Sequence, residues 1–228
     1  MNKQEWQIIE HNPSLGQFNM DFDQQMIDEY SIDHIPRFRL YGWSPPTISV
    51  GRFQNVEQDF PVSVVRRMTG GGAIYHHNEL TYSLVCAPSD LGNPKTVKKA
   101  YESITGFIIR FYSLLGLNAY YAKDEQVQNF ELGAKTWTCF EGREEYDILI
   151  QGRKIGGNAQ KRSRDLIFQH GSIPLGFDWK GWEEAFRAIH LPSEETIVAL
   201  NDLIPVPERF ELYSLMKQAF AEQIKSLF

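Results

Sequence analysis

"VVRRMTGGGAIYHHNELTYS", residues 64–83, sets three consecutive glycines between two runs that both look extended. Upstream, "VSVVRR" (62–67) is β-branched; downstream, "LTYSLVCA" (80–87) alternates in the manner of a strand. Glycine is the most costly residue to order. Three together signal either backbone angles that side chains disfavour or a place where something approaches too closely for a Cβ. Two readings stand, a tight hairpin and a loop that receives a ligand. A dinucleotide-binding or P-loop reading fails, because both need the glycines to open a helix.

Working outward, "WQIIEH" (6–11), "PRFRLYGWS" (36–44) and "TISVGRF" (47–53) read as strands, with Pro45 and Pro46 in a turn between the last two. Residues 15–30 predict a helix, with Phe18, Phe22, Met26 and Tyr30 recurring every fourth position. The cleanest helix spans 95–115, where Val97, Tyr101, Ile104, Ile108, Phe111 and Leu115 form one stripe and Gly116 supplies the stop. Segments 117–122, 145–152, 153–163 and 165–175 look extended, with a hairpin between Asp147 and Lys154 around Gln151-Gly152. Helices are expected at 180–188, at 193–201 behind Ser193 as N-cap, and at 207–227, where Tyr213, Met216, Phe220, Ile224 and Leu227 share a face. About seven or eight strands and four or five helices, without strict βαβ alternation, predict an α+β fold: a mixed or antiparallel sheet with flanking helices. No repeat or linker divides the chain, so one domain over 1–228 is expected.

The 228 residues carry a net charge of −6, which argues against general nucleic-acid binding. No apolar run approaches a membrane span, and the polar start lacks a secretory core. Two cysteines, Cys86 and Cys139, make neither a disulfide framework nor a cysteine metal site; a cytoplasmic protein with free thiols is expected, and no metal centre.

Three segments could carry chemistry. The glycine loop adds Arg66, Arg67, Thr69, His76 and His77 to its glycines. "GRKIGGNAQKRSR" (152–164) gathers five cations in an acidic chain and puts Lys154 two residues before Gly156 and Gly157. It reads as a solvated hairpin or as a lysine aimed at an anionic or carbonyl group, a role suited to a compact charge with three donors. Cys139, in "KTWTCFEGREEY", sits among Thr, Gly and charged residues, with Lys135 and Arg143 nearby in sequence. That setting is open to a reactive thiolate, whereas Cys86 in "YSLVCA" reads as an inert core thiol. His170 in "FQHGS" reads first as a core histidine and second as a site residue.

Taken together, "PPTISVGRFQN" (45–55), the glycine segment (64–83), "GRKIGGNAQKR" (152–162) and "FQHGSI" (168–173) resemble the lipoate ligase, octanoyltransferase and biotin ligase superfamily, in that family's order. The resemblance implies its catalytic-domain fold and a glycine loop along which a fatty-acyl chain lies. It implies substrate-binding roles for Arg67, Thr69, Gly70, Gly71, Gly72, His76, Gly156, Gly157, Gln160 and His170. Lys154 matches the family lysine that contacts the acyl carbonyl or its leaving group.

Within the family, "ELTYS" (79–83) and a Cys-Phe pair fifteen residues before the motif lysine resemble the cysteine-dependent octanoyltransferases. Gly72, where those usually have arginine, and His77, where both branches usually have aspartate, depart from the pattern. The resemblance implies octanoyl transfer through a Cys139 acyl-thioester, with acyl carrier protein as donor and no required cofactor. Lipoyl domains of 2-oxoacid dehydrogenases or the glycine cleavage H protein would be acceptors. The C-terminal accessory domain of many ligases is not expected. The alternatives are an ATP- and Mg-using lipoate ligase that forms a lipoyl-adenylate, and a non-catalytic lipoyl-binding module.

Overall fold

A computed structural model describes residues 5–56, 59–125, 142–186 and 193–228. Its largest sheet has five strands: β1 (Gln7–Glu10), β2 (Arg37–Tyr41), β6 (Glu79–Cys86), β11 (Ile167–Pro174) and β10 (Gly157–Arg162), in that spatial order. β1 runs parallel to β2 and the other pairings are antiparallel. A second sheet takes the order β4 (Ser63–Arg66), β3 (Thr47–Val50), β5 (Ile74–His76), and a third joins β7 (Ala119–Tyr121), β8 (Ile148–Ile150) and β9 (Arg153–Lys154). This is the expected α+β architecture, with more and shorter strands than the sequence suggested.

The two faces of the large sheet are set by strand alternation. Leu80, Tyr82, Leu84 and Cys86 of β6 join Ile167 and Ile173 of β11 in the main core, beneath helices α2 (Val97–Leu114) and α4 (Arg209–Ser226). There Phe38 stacks on Phe220 with centroids 4.0 Å apart, and Phe107 meets both rings edge-on. Thr96 caps α2 by accepting from the Lys99 amide, and Gly116 takes a positive φ of 77° at its end. The opposite face, carrying Glu79, Thr81, Ser83 and Val85, lies toward α1 (Gly16–Asp33).

Two sequence expectations are corrected. Residues 193–201 do not form a helix. They turn at 194–196 and then run beside β9, where Thr196 accepts the Lys154 amide and the Val198 amide donates back to Lys154. Sheet pairing with β9 overrides the capping signal. Segment 153–163 is not one strand either; it breaks at Ile155-Gly156 and its halves enter different sheets. Gly156 has φ +101°, and a Cβ there would sit 2.4 Å from the Ser172 carbonyl oxygen, so the break requires glycine. The hairpin at Gln151-Gly152 is present, with both turn residues at positive φ and Ile150 paired with Arg153. Helix α3 (Trp179–Phe186) matches the expected helix as far as the described residues run.

Candidate active site

β4 and β5 flank β3 on opposite sides, parallel and antiparallel respectively. The glycine segment that joins them therefore crosses the end of β3 instead of turning back as a hairpin. Its path is fixed there: the Arg67 amide donates to the Val50 carbonyl and the Arg52 amide to the Thr69 carbonyl. Gly71 has φ +94°, and its carbonyl lies 2.1 Å from where a Cβ on Gly51 would be. The Arg67 guanidinium holds the loop from beneath. Nη2 donates to the carbonyls of Gly70 and Gly72 at 3.1 and 2.9 Å, while Nη1 donates to the Ser49 carbonyl and hydroxyl, both at 2.8 Å.

Facing this loop is the polar side of the large sheet. Register places Tyr41, Thr81, Ser172 and Gly157 in one row, and Arg39, Ser83, His170 and Ala159 in the next. Because Gly157 and Ala159 are small, a narrow cleft remains between the sheets, with Trp43, Arg67, Ile74, His76 and His170 among its walls. Polar groups in such a cleft must be paired. Thr69 Oγ1 lies 2.7 Å from His170 Nε2, and His170 Nδ1 is 3.8 Å from Asp23. Burial, above all, holds the His170 imidazole below its ordinary value, with Arg67 and His76 acting the same way against the pull of Asp23. His170 is accordingly neutral at pH 7. Asp23 also accepts from Arg39 at 3.0 Å and Ser83 at 2.7 Å, so His170 belongs to a buried polar network and also lines the cleft.

Lys154 is buried on β9. Its ammonium is 2.7 Å from Asp147 and donates to the Gly142 carbonyl at 2.8 Å. It is thus neither a solvated hairpin lysine nor part of the cleft wall, although Gly157, three residues on, lines that wall. Gln160 donates to Gln169, on the strand face that carries Tyr82, and is not among the cleft residues. Cys139 lies outside the described residues. Cys86 is buried and its thiol is pushed up by burial, with Asp90 adding to the effect. Among the described residues no group of three His, Cys, Asp or Glu side chains could hold a metal ion, and no helix is long and apolar enough to cross a membrane.

The sequence did not single out Trp43, Ser49, Glu79, Thr81, Ser172, Asp23 or Arg39. Alternation across "ELTYS" could have found two of these, Glu79 and Thr81, together with Ser83 on the His170 face. Asp23 was hidden because a helix stripe drawn through apolar residues passes it by.

The description "Lipoyl protein ligase A/B catalytic domain" matches residues 16–211. The chain belongs to that family. An "Octanoyltransferase LipM" of Geobacillus kaustophilus (strain HTA426) is 39% identical over 205 residues, 85% of this chain and 73% of the relative. An "Octanoyltransferase LipM" of Bacillus subtilis (strain 168) is 34% identical over 226 residues, 90% of this chain and 80% of the relative. The fold matches the crystal structure of lipoate-protein ligase A bound with ATP at a TM-score of 0.75 and 19% identity, covering 97% of this chain and 86% of that one.

An acyl chain lying along the loop would pass Gly70, whose Cβ position has no heavy atom within 4 Å. Gly70→Val is expected to weaken octanoate binding at least tenfold, measured by calorimetry, with little change in melting temperature. Gly71 is the poorer probe, because its positive φ strains any side chain placed there. Unchanged affinity in Gly70→Val would show that the acyl chain does not run past this glycine.

Proposed function

We propose that this protein is an octanoyltransferase that moves an octanoyl group from acyl carrier protein to a lysine of a lipoyl domain. The observation that carries this reading is the cleft beneath the glycine loop, in a chain 39% identical to a protein named as an octanoyltransferase. In the first step the Cys139 thiolate attacks the carrier's thioester carbonyl. A carbon–sulfur bond forms to Cys139, the bond to the carrier's sulfur breaks, and the carrier leaves as a thiol. In the second, the lysine amine of the acceptor attacks the acyl-enzyme, forming the amide and returning the cysteine. One thioester is exchanged for another before the amide forms, so the cycle needs no ATP and no metal.

Lys154 is the proposed stabiliser of the oxyanion. Its ammonium already binds a carbonyl oxygen, that of Gly142, three residues after Cys139 in the chain. An acyl oxyanion is the same type of acceptor with more charge. Asp147 holds the ammonium in place.

Both protein partners are expected to be acidic, and the basic strip divides into two parts. Lys161 lies with Arg52 and Arg66 around an open groove beside Arg67, whereas Arg162 donates to the Pro94 and Thr96 carbonyls near the start of α2. Charge reversal at Arg52 and Lys161 should slow association with acyl carrier protein, and the defect should shrink at high salt. Reversal at Arg162 should lower stability instead. Equal association rates for wild type and the Arg52/Lys161 variant at low salt, by stopped flow, would remove the steering role.

The transferase reading is tested by supplying octanoyl acyl carrier protein and a lipoyl domain without nucleotide and measuring the octanoylated domain by mass. AMP release that depends on ATP and free lipoate, with no transfer from the carrier, would make the chain a ligase.

A further inference from the structure

Four side chains, of which His76 and Arg67 belong to the cleft wall, form a line to which the transfer steps assign no chemistry. Glu79 Oε1 is 2.9 Å from His76 Nδ1, and His76 Nε2 is 2.6 Å from Ser49 Oγ. Ser49 Oγ in turn receives a hydrogen bond from Arg67 Nη1 at 2.8 Å. Acid, imidazole and hydroxyl are the parts of a serine nucleophile. Two facts deny that use. Ser49 is fully buried, and its oxygen accepts from an arginine that draws electron density away from it.

The hydrogen-bond directions tell what the line does. A carboxylate only accepts, so His76 Nδ1 carries the hydrogen and Nε2 is left as an acceptor. With Nε2 an acceptor in the neutral imidazole, the Ser49 hydroxyl donates to it while its oxygen accepts from Arg67. Every bond along the line then points one way. Glu79 is itself held on several sides: Thr81 Oγ1 donates to Oε1, Ser172 Oγ donates to Oε2 at 2.8 Å, and Trp43 Nε1 donates to Thr81 Oγ1 at 2.8 Å. The Trp43 ring also stacks on His76, centroids 3.8 Å apart and planes within 9°. At the far end Arg67 grips the carbonyls of Gly70 and Gly72.

We propose that Glu79 is a positioning residue for the glycine loop, acting through His76, Ser49 and Arg67 to fix where the loop backbone meets the acyl chain. The proposal rests on the cleft being the acyl site. Side chains that set backbone position control rate steeply, since misplacement by about 1 Å can cost roughly a hundredfold.

Glu79→Gln is isosteric and can keep its bond to Ser172 if that hydroxyl reverses, while its grip on His76 is weakened. It should lower kcat/KM for octanoyl transfer by about tenfold to a hundredfold, mainly through KM for the carrier, and weaken octanoate binding, with little loss in melting temperature. Ser49→Ala should do the same. The double variant should lose no more than the worse single one, because both changes act through Arg67; independent damage would add. Octanoate binding is measured beside transfer, so the relay is judged even if the wild type fails to transfer and the transferase reading falls. Normal binding and transfer in Glu79→Gln, or losses that add in the double variant, would overturn the proposal. Labelling of Ser49 by a fluorophosphonate probe would also overturn it, by making the serine a nucleophile. If Glu79→Gln does not fold, Glu79→Asp, which keeps the carboxylate but shortens its reach to His76, takes its place against Ser49→Ala in the same cycle.

Discussion

Lys154→Ala is expected to lower octanoyl transfer by about two orders of magnitude or more, the usual consequence of removing one oxyanion donor. The same change harms the fold. Asp147 faces Lys154 at 2.7 Å, with side-chain exposures of 11% and 3%, and breaking a buried pair costs about 3–5 kcal/mol. The two effects separate in a paired variant. Lys154→Met with Asp147→Asn removes both charges, so it should recover most of the melting temperature of the wild type while transfer stays low. Lys154→Arg keeps a cation beside Asp147 but replaces a compact charge with a planar fork, and should restore stability better than activity. Near-normal turnover in a folded Lys154→Ala protein would reduce this lysine to half of a structural ion pair.

Periodicity made most of the fold legible. The stripes of α2 and α4 face the core except at Val97, which is exposed at the start of α2; Ile104, Ile108 and Phe111 are buried against Met216 and Phe220. The elements that were misread depend on long-range pairing. Ser193 and Thr196 look like a helix start, but the neighbouring chain is taken by the backbone of Lys154, some forty residues earlier in sequence, and no local pattern reports that. Helix α1 was found while its buried face was misjudged. Phe18 is largely exposed, whereas Asn19 and Asp23 face inward to hold Arg39, so polar partners took positions that apolar periodicity assigns to solvent.

The site was legible in motifs and not in contacts. Arg67, His76, Gly157 and His170 meet in one cleft although they come from three separate stretches of sequence. The tie from Arg67 to the loop carbonyls, and the placement of Glu79 behind His76, need the crossing of β3 by the glycine segment, which the strand order alone reveals.

The proposed chemistry rests on Cys139 as the nucleophile. Cys139→Ala is expected to abolish transfer from octanoyl acyl carrier protein, because no acyl-enzyme can form, while melting temperature stays near that of the wild type. Cys139→Ser should be nearly as inactive, since a hydroxyl is a much weaker nucleophile than a thiolate. Cys86→Ala should keep transfer, given that Cys86 is buried in the core with its thiol pushed up.

The most direct measurement is intact mass spectrometry after mixing the protein with octanoyl acyl carrier protein in the absence of acceptor and nucleotide. One octanoyl adduct, a gain of about 126 Da by thioester formation, is predicted on the wild type and on Cys86→Ala. It should be absent from Cys139→Ala and lost on treatment with hydroxylamine. Transfer to a lipoyl domain that proceeds in Cys139→Ala at the wild-type rate, or an adduct that forms without Cys139, would contradict the account.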